Sequence, residues 1–120
     1  MITHTISLLG LRDSNEDQHE VFINLDNQNT EYKDINLFAV FDGHGGKDVS
    51  KFLKDNLSTY FTSNFMKYDI SNTCNFKKYI EKVFDHLQIK LEKKFKNISY
   101  NIGSTALVLI FYKKKGKTCY

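Results

Sequence analysis

The stretch Leu37-Phe38-Ala39-Val40-Phe41-Asp42-Gly43-His44-Gly45-Gly46 runs five apolar residues into a turn made of aspartate, histidine and three glycines. An unbroken apolar run of that length predicts a strand buried on both faces. An aspartate at the carboxyl end of such a strand projects from a rigid element toward a cleft, where a hard cation finds oxygen ligands. Gly43 lets its main-chain carbonyl turn toward the same ion, and Gly45 and Gly46 admit a ligand close to the backbone. His44 exchanges a proton near neutral pH. The same five residues also suit a plain strand-to-helix turn in which Asp42 caps the helix, and the turn alone leaves both readings open.

Downstream, Val49, Phe52, Leu53, Leu57, Tyr60, Phe61 and Phe65 fall on one face at helical spacing, with Lys51, Lys54 and Asp55 opposite. Residues 66–75 read as a connection. Phe76, Tyr79, Ile80, Val83, Phe84, Leu87, Leu91, Phe95 and Ile98 mark a second amphipathic helix, broken over 97–103. Thr105 to Tyr112 predicts another buried strand, Lys113 to Lys117 a hairpin turn around Gly116, and Thr118 to Tyr120 the start of a return strand. Upstream, loose alternation over Thr3–Leu11, with Ile6 and Leu8 on one face, predicts a strand. Glu20–Leu25 predicts a second, and the Asn-rich residues 26–34 a loop. Short strands beside long amphipathic helices give an α+β expectation: antiparallel sheet with helices packed on its face.

A second chemical signal lies between the first two predicted strands: Arg12-Asp13-Ser14-Asn15-Glu16-Asp17. Arg12 is the single arginine among 17 basic residues, and a planar guanidinium grips phosphate in a two-pronged way that lysine does not. Glu16 and Asp17 are oxygen donors for a cation. Alone, the segment reads first as a charged hairpin loop. Beside the Asp42 turn, it adds a cationic grip and further carboxylates to one proton-transfer group, the parts of a two-metal phosphoryl-transfer site.

The composition is that of an ordinary globular domain of 120 residues, 41% hydrophobic and 26% charged. A net charge of +3, with lysines spread over the polar faces of both helices, argues against a nucleic-acid partner. No apolar run approaches a membrane span, no secretory leader is visible at Met1, and Cys74 and Cys119 are too few for a disulfide framework. An intracellular location, cytoplasmic or nuclear, is the expectation.

Arg12 followed at four and five residues by Glu16-Asp17, then Phe38-Ala39-Val40-Phe41-Asp42-Gly43-His44-Gly45-Gly46, then Gly103-Ser104-Thr105-Ala106 entering an apolar strand, resembles the opening signature of the type-2C (PPM) metal-dependent protein serine/threonine phosphatases. The resemblance runs from about Leu8 to the last residue. It implies a four-layer α-β-β-α sandwich with mainly antiparallel sheets, here only in part, and two Mg²⁺ or Mn²⁺ ions at one end. Asp42 would bridge the ions, the Gly43 carbonyl would bind one, and Glu16, supported by Asp17, would serve the other. Arg12 would hold the phosphate of a phosphorylated protein substrate. An activated water would attack phosphorus in line while His44 protonates the departing oxygen. Gly103 to Ala106 would serve close packing.

The family's later metal-binding aspartates and its Asn-x-Gly-Asp-Ser-Arg-like segment have no match. Asp48, Asp55, Asp69, Glu81, Asp85 and Glu92 fit no ligand motif and are expected in solvent. Residues 1–120 are therefore expected to be the N-terminal portion of a phosphatase domain, exposing apolar surface and poorly soluble alone. The alternative to an enzyme is a catalytically inactive relative that binds phosphoproteins or another partner.

Overall fold

The computed structural model describes residues 2–23, 32–65, 73–96, 101–114 and 117–119. Its elements in chain order are β1 Gln18–Phe22, β2 Tyr32–Phe41, β3 Gly43–His44, α1 Asp48–Phe65, α2 Thr73–Lys94, β4 Gly103–Ser104, β5 Leu107–Lys114 and β6 Lys117–Cys119. Four strands form one antiparallel sheet in the order β1-β2-β5-β6, and β3 pairs with β4 in a separate two-stranded sheet. The fold is mixed α+β. Among the described residues it has one helical layer on one main sheet.

Alternation along β2 decides where the core lies. Ile35, Leu37, Ala39 and Phe41 are buried on the side facing the helices. Val49, Phe52, Leu53, Leu57 and Phe61 of α1 meet them, with Tyr79, Val83, Leu87 and Leu91 of α2 completing the cluster. These are the positions that helical spacing assigns to one stripe, so burial of that stripe holds both helices in place. The buried Tyr79 hydroxyl donates to the Phe61 carbonyl, which joins the two helices by a polar contact inside the core. On the polar faces, Lys51 pairs with Asp55 one turn on, 2.8 Å away. Asp48 in the first turn of α1 and Lys93 and Lys94 in the last turn of α2 suit the helix dipoles.

Several expectations need correction. Thr3–Leu11 forms no strand. β1 pairs only with β2 among the described residues and leaves its outer edge open, but the arm before it pairs with no described strand, and Ile6 and Leu8 stay in solvent. β2 and β5 are covered on one face only by described elements. Val40, Leu107 and Leu109 point away from the helices and are 51%, 73% and 47% exposed. Their unbroken apolar character reflects a second face that no described element covers. Boundaries also shift: β1 starts and ends earlier than Glu20–Leu25, β2 begins inside the predicted loop, α2 begins at Thr73, and β5 runs on to Lys114. Ile98, Asp69, Gly116 and residues 24–31 lie outside the described residues. Asp48, Asp55, Glu81, Asp85 and Glu92 are exposed, as expected.

Candidate metal and phosphate site

The arm turns back on itself just before β1. The Arg12 N–H donates to the Leu9 carbonyl at 3.4 Å, with Gly10 at positive φ inside the turn. Asn15 braces the loop on both sides: its Nδ2 donates to Ser7 Oγ at 2.9 Å, and its Oδ1 accepts from the Asp17 N–H at 3.0 Å. This is the local side-chain-to-backbone bonding that asparagine provides in tight loops.

Asp42 ends β2 and is stitched to the segment before β5. Its N–H donates to Thr105 Oγ1 at 3.3 Å, and its carbonyl accepts from the Thr105 N–H at 2.8 Å. Gly43 and His44 then pair with Ser104 and Gly103. Gly43 is required by close approach: a Cβ there would sit 2.5 Å from the Glu16 carbonyl oxygen and 2.8 Å from Ser50 Oγ. A Cβ on Gly103 would fall 2.7 Å from the ring of the exposed His44, which could turn aside, so the demand for glycine is weaker there. Gly45 and Gly46 carry positive φ and lead into α1.

These two segments, 25 or more residues apart, line one cleft of about 380 Å³ walled by Leu8, Leu9, Arg12, Asp13, Ser14, Asn15, Glu16, Asp17, Asp42 and Gly43. Arg12, Glu16, Asp17, Asp42 and Gly43 are thus brought together. His44 is not in that wall. It is exposed, one residue further along β3, with its ring against Gly103. Carboxylate and carbonyl oxygens are the donors that Mg²⁺ or Mn²⁺ takes, so the cleft fits a hard dication in kind. Among the described residues no three carboxylate, histidine or cysteine groups converge to hold a metal. The protein donors present suit one ion with water filling its shell better than two adjacent dications, whose repulsion needs more negative charge.

Sequence reasoning missed two residues that shape this region. Thr105 fixes Asp42 from both sides of its peptide, and the motif Gly103-Ser104-Thr105-Ala106 was the available signal. Ser50 touches the Glu16 carbonyl, and an isolated serine near a helix start gives no such signal. Glu20 on β1 stands apart from this cleft, in a hollow with Lys54, Asp55 and Ser58 of α1. It is only 7% exposed, and its Oε2 has no hydrogen-bond partner among the described residues. Burial pushes its carboxyl up to about 7; a hydrogen bond from Ser58 and the charge of Lys54 oppose this, and Asp55 adds to it.

Comparison with known proteins shows the family. The protein phosphatase 2C family profile matches residues 5–119, nearly the whole chain. The chain belongs to the protein phosphatase 2C family. It is 32% identical over 93 residues to the uncharacterized protein R306 of Acanthamoeba polyphaga mimivirus, a match covering 74% of this chain and 79% of that protein. It is 28% identical over 108 residues to probable protein phosphatase 2C 54 of Oryza sativa subsp. japonica, covering 87% of this chain and 28% of that protein. It is 42% identical over 62 residues to probable protein phosphatase CG10417 of Drosophila melanogaster, covering 52% of this chain and 8% of that protein. The chain therefore spans a small part of the length of the named phosphatases. No helix among the described residues is long and apolar enough to cross a membrane.

Proposed function

We propose that this chain contributes the phosphate-gripping and metal-holding part of a metal-dependent protein serine/threonine phosphatase. The observation that carries the reading is the single cleft shared by Arg12, Glu16, Asp17, Asp42 and Gly43. Asp42, the Gly43 carbonyl and Glu16 would hold Mg²⁺ or Mn²⁺, with Asp17 in support and water filling the rest of the shell. When bound, such an ion supplies positive charge for the phosphoryl oxygens and acidifies water for attack on phosphorus. Arg12 orients the phosphate of a phosphoserine or phosphothreonine in a protein substrate by paired hydrogen bonds. His44, exposed at the edge of the turn, donates a proton to the departing hydroxyl oxygen. Thr105 and Gly103 hold Asp42 and His44 in register for these roles.

A second reading rests on one observation, the lack of three converging metal-ligating side chains among the described residues. In it the cleft binds phosphorylated protein through Arg12 and one cation without turning it over. The deciding experiment is Mn²⁺-dependent release of phosphate from a phosphoserine peptide, with Asp42→Ala as control. Release by the parent and none by the variant is the expected result. Peptide binding with no release by either supports the second reading instead.

A further inference from the structure

We propose that Ser50 is a positioning residue for the Glu16-Asp17 carboxylates; this rests on reading the Arg12–Asp17 cleft as the metal site. Ser50 lies in the first turn of α1 and is completely buried. A serine there ordinarily bonds back to its own helix. Ser50 Oγ does lie 3.1 Å from the Lys47 carbonyl, but the Glu16 carbonyl, 34 residues away in sequence, is closer at 2.5 Å. A hydroxyl has one proton to donate, and the shorter contact takes the larger share of it.

The bond matters because of which peptide it grips. The unit joining Glu16 to Asp17 is planar and rigid. Its carbonyl accepts from Ser50, and its N–H donates to Asn15 Oδ1 at 3.0 Å. Held at both ends, the plane fixes the Cα atoms of both carboxylate residues at once. Gly43 closes the arrangement from the third side, because its missing Cβ leaves room for both the Glu16 oxygen and the Ser50 hydroxyl. The helix after the Asp42 turn therefore reaches back to set the loop that faces that turn. Asn15 acts within its own loop. Ser50 is the member that ties the loop to the body of the fold.

The test compares the 120-residue chain with its Ser50→Ala and Ser50→Cys variants, using the backbone amide resonances of residues 13–17 and Mn²⁺ affinity by calorimetry. Loss of one net hydrogen bond at this joint is expected to weaken Mn²⁺ binding about fivefold in Ser50→Ala. It also shifts or broadens the Asp17 amide, while amides of Leu57 and Phe61 on the same helix stay in place. Ser50→Cys, which keeps the shape and weakens the donor, falls between; if Ser50→Ala does not fold, Ser50→Cys is read by the same criteria. Parent-like Asp17 amide and parent-like Mn²⁺ affinity in the variants overturn the proposal. A parent that binds no Mn²⁺ overturns the metal reading instead, and the Asp17 amide then decides the role of Ser50 alone.

Discussion

Glu20 lies on the core-facing side of β1, where its Cα neighbour across the sheet is Ala39. Burial raises its carboxyl from 4.5 to about 7, so the folded chain holds a proton there that the unfolded chain releases. A carboxyl raised by folding favours the folded state at low pH. Stability then falls as pH climbs from 4.5 through about 7 and levels off above that. The loss amounts to roughly 3 kcal/mol at full extent. Glu20→Gln removes it. Urea unfolding of parent and variant should agree near pH 4 and diverge with pH, the variant being more stable by roughly 2–3 kcal/mol at pH 8. A constant difference across that range would show that Glu20 is ionised in the fold. The sequence did not betray this residue: in the predicted strand from Glu20 to Leu25 it stood at the first position, where a solvated end is the ordinary assumption. Asp42 and Arg12 stand out as candidates in the sequence because each sits in a dense local motif, and both line one cleft. Ser50 and Thr105 do not stand out, because their partners lie 34 and 63 residues away.

Both long helices were legible from spacing alone, since a 3.6-residue stripe of aromatic and aliphatic side chains has one way to be buried. Strands were harder. The arm over residues 3–9 has strand-like alternation, yet a strand exists only beside a neighbour, and alternation says nothing of whether one is there. β5 shows the opposite ambiguity. Val108, Ile110 and Tyr112 pack toward the core, whereas Leu107 and Leu109 stand on the outer face, and Phe111 there meets Phe38 edge to face at 6.0 Å. A run apolar on both sides reads as doubly buried in sequence, but only one of its faces is covered by a described element. The double substitution Leu107→Lys, Leu109→Lys is therefore expected to change unfolding free energy by less than about 1 kcal/mol. It should also reduce binding of a hydrophobic dye such as ANS and raise solubility. A loss above about 3 kcal/mol, the scale of disrupting a packed core, would mean that the outer face is covered.

At the scale of the whole chain, the arrangement depends on three stretches distant in sequence. The loop before β1 supplies Arg12, Glu16 and Asp17. The end of β2 supplies Asp42 and Gly43. The segment before β5 holds that end in place through Thr105 and Gly103. The protein phosphatase 2C family profile matches residues 5–119, a range that includes every residue of this cleft. The cleft's donor set is short of what two adjacent dications need, and on the proposed reading it holds one ion. The central claim is tested most directly by titrating Mn²⁺ into the 120-residue chain and its Asp42→Asn variant by calorimetry. One saturable ion is expected in the parent, with affinity lower by at least about tenfold in the variant, whose neutral amide is a far poorer ligand for a hard cation. Equal Mn²⁺ binding by parent and variant, or none by the parent, would contradict it.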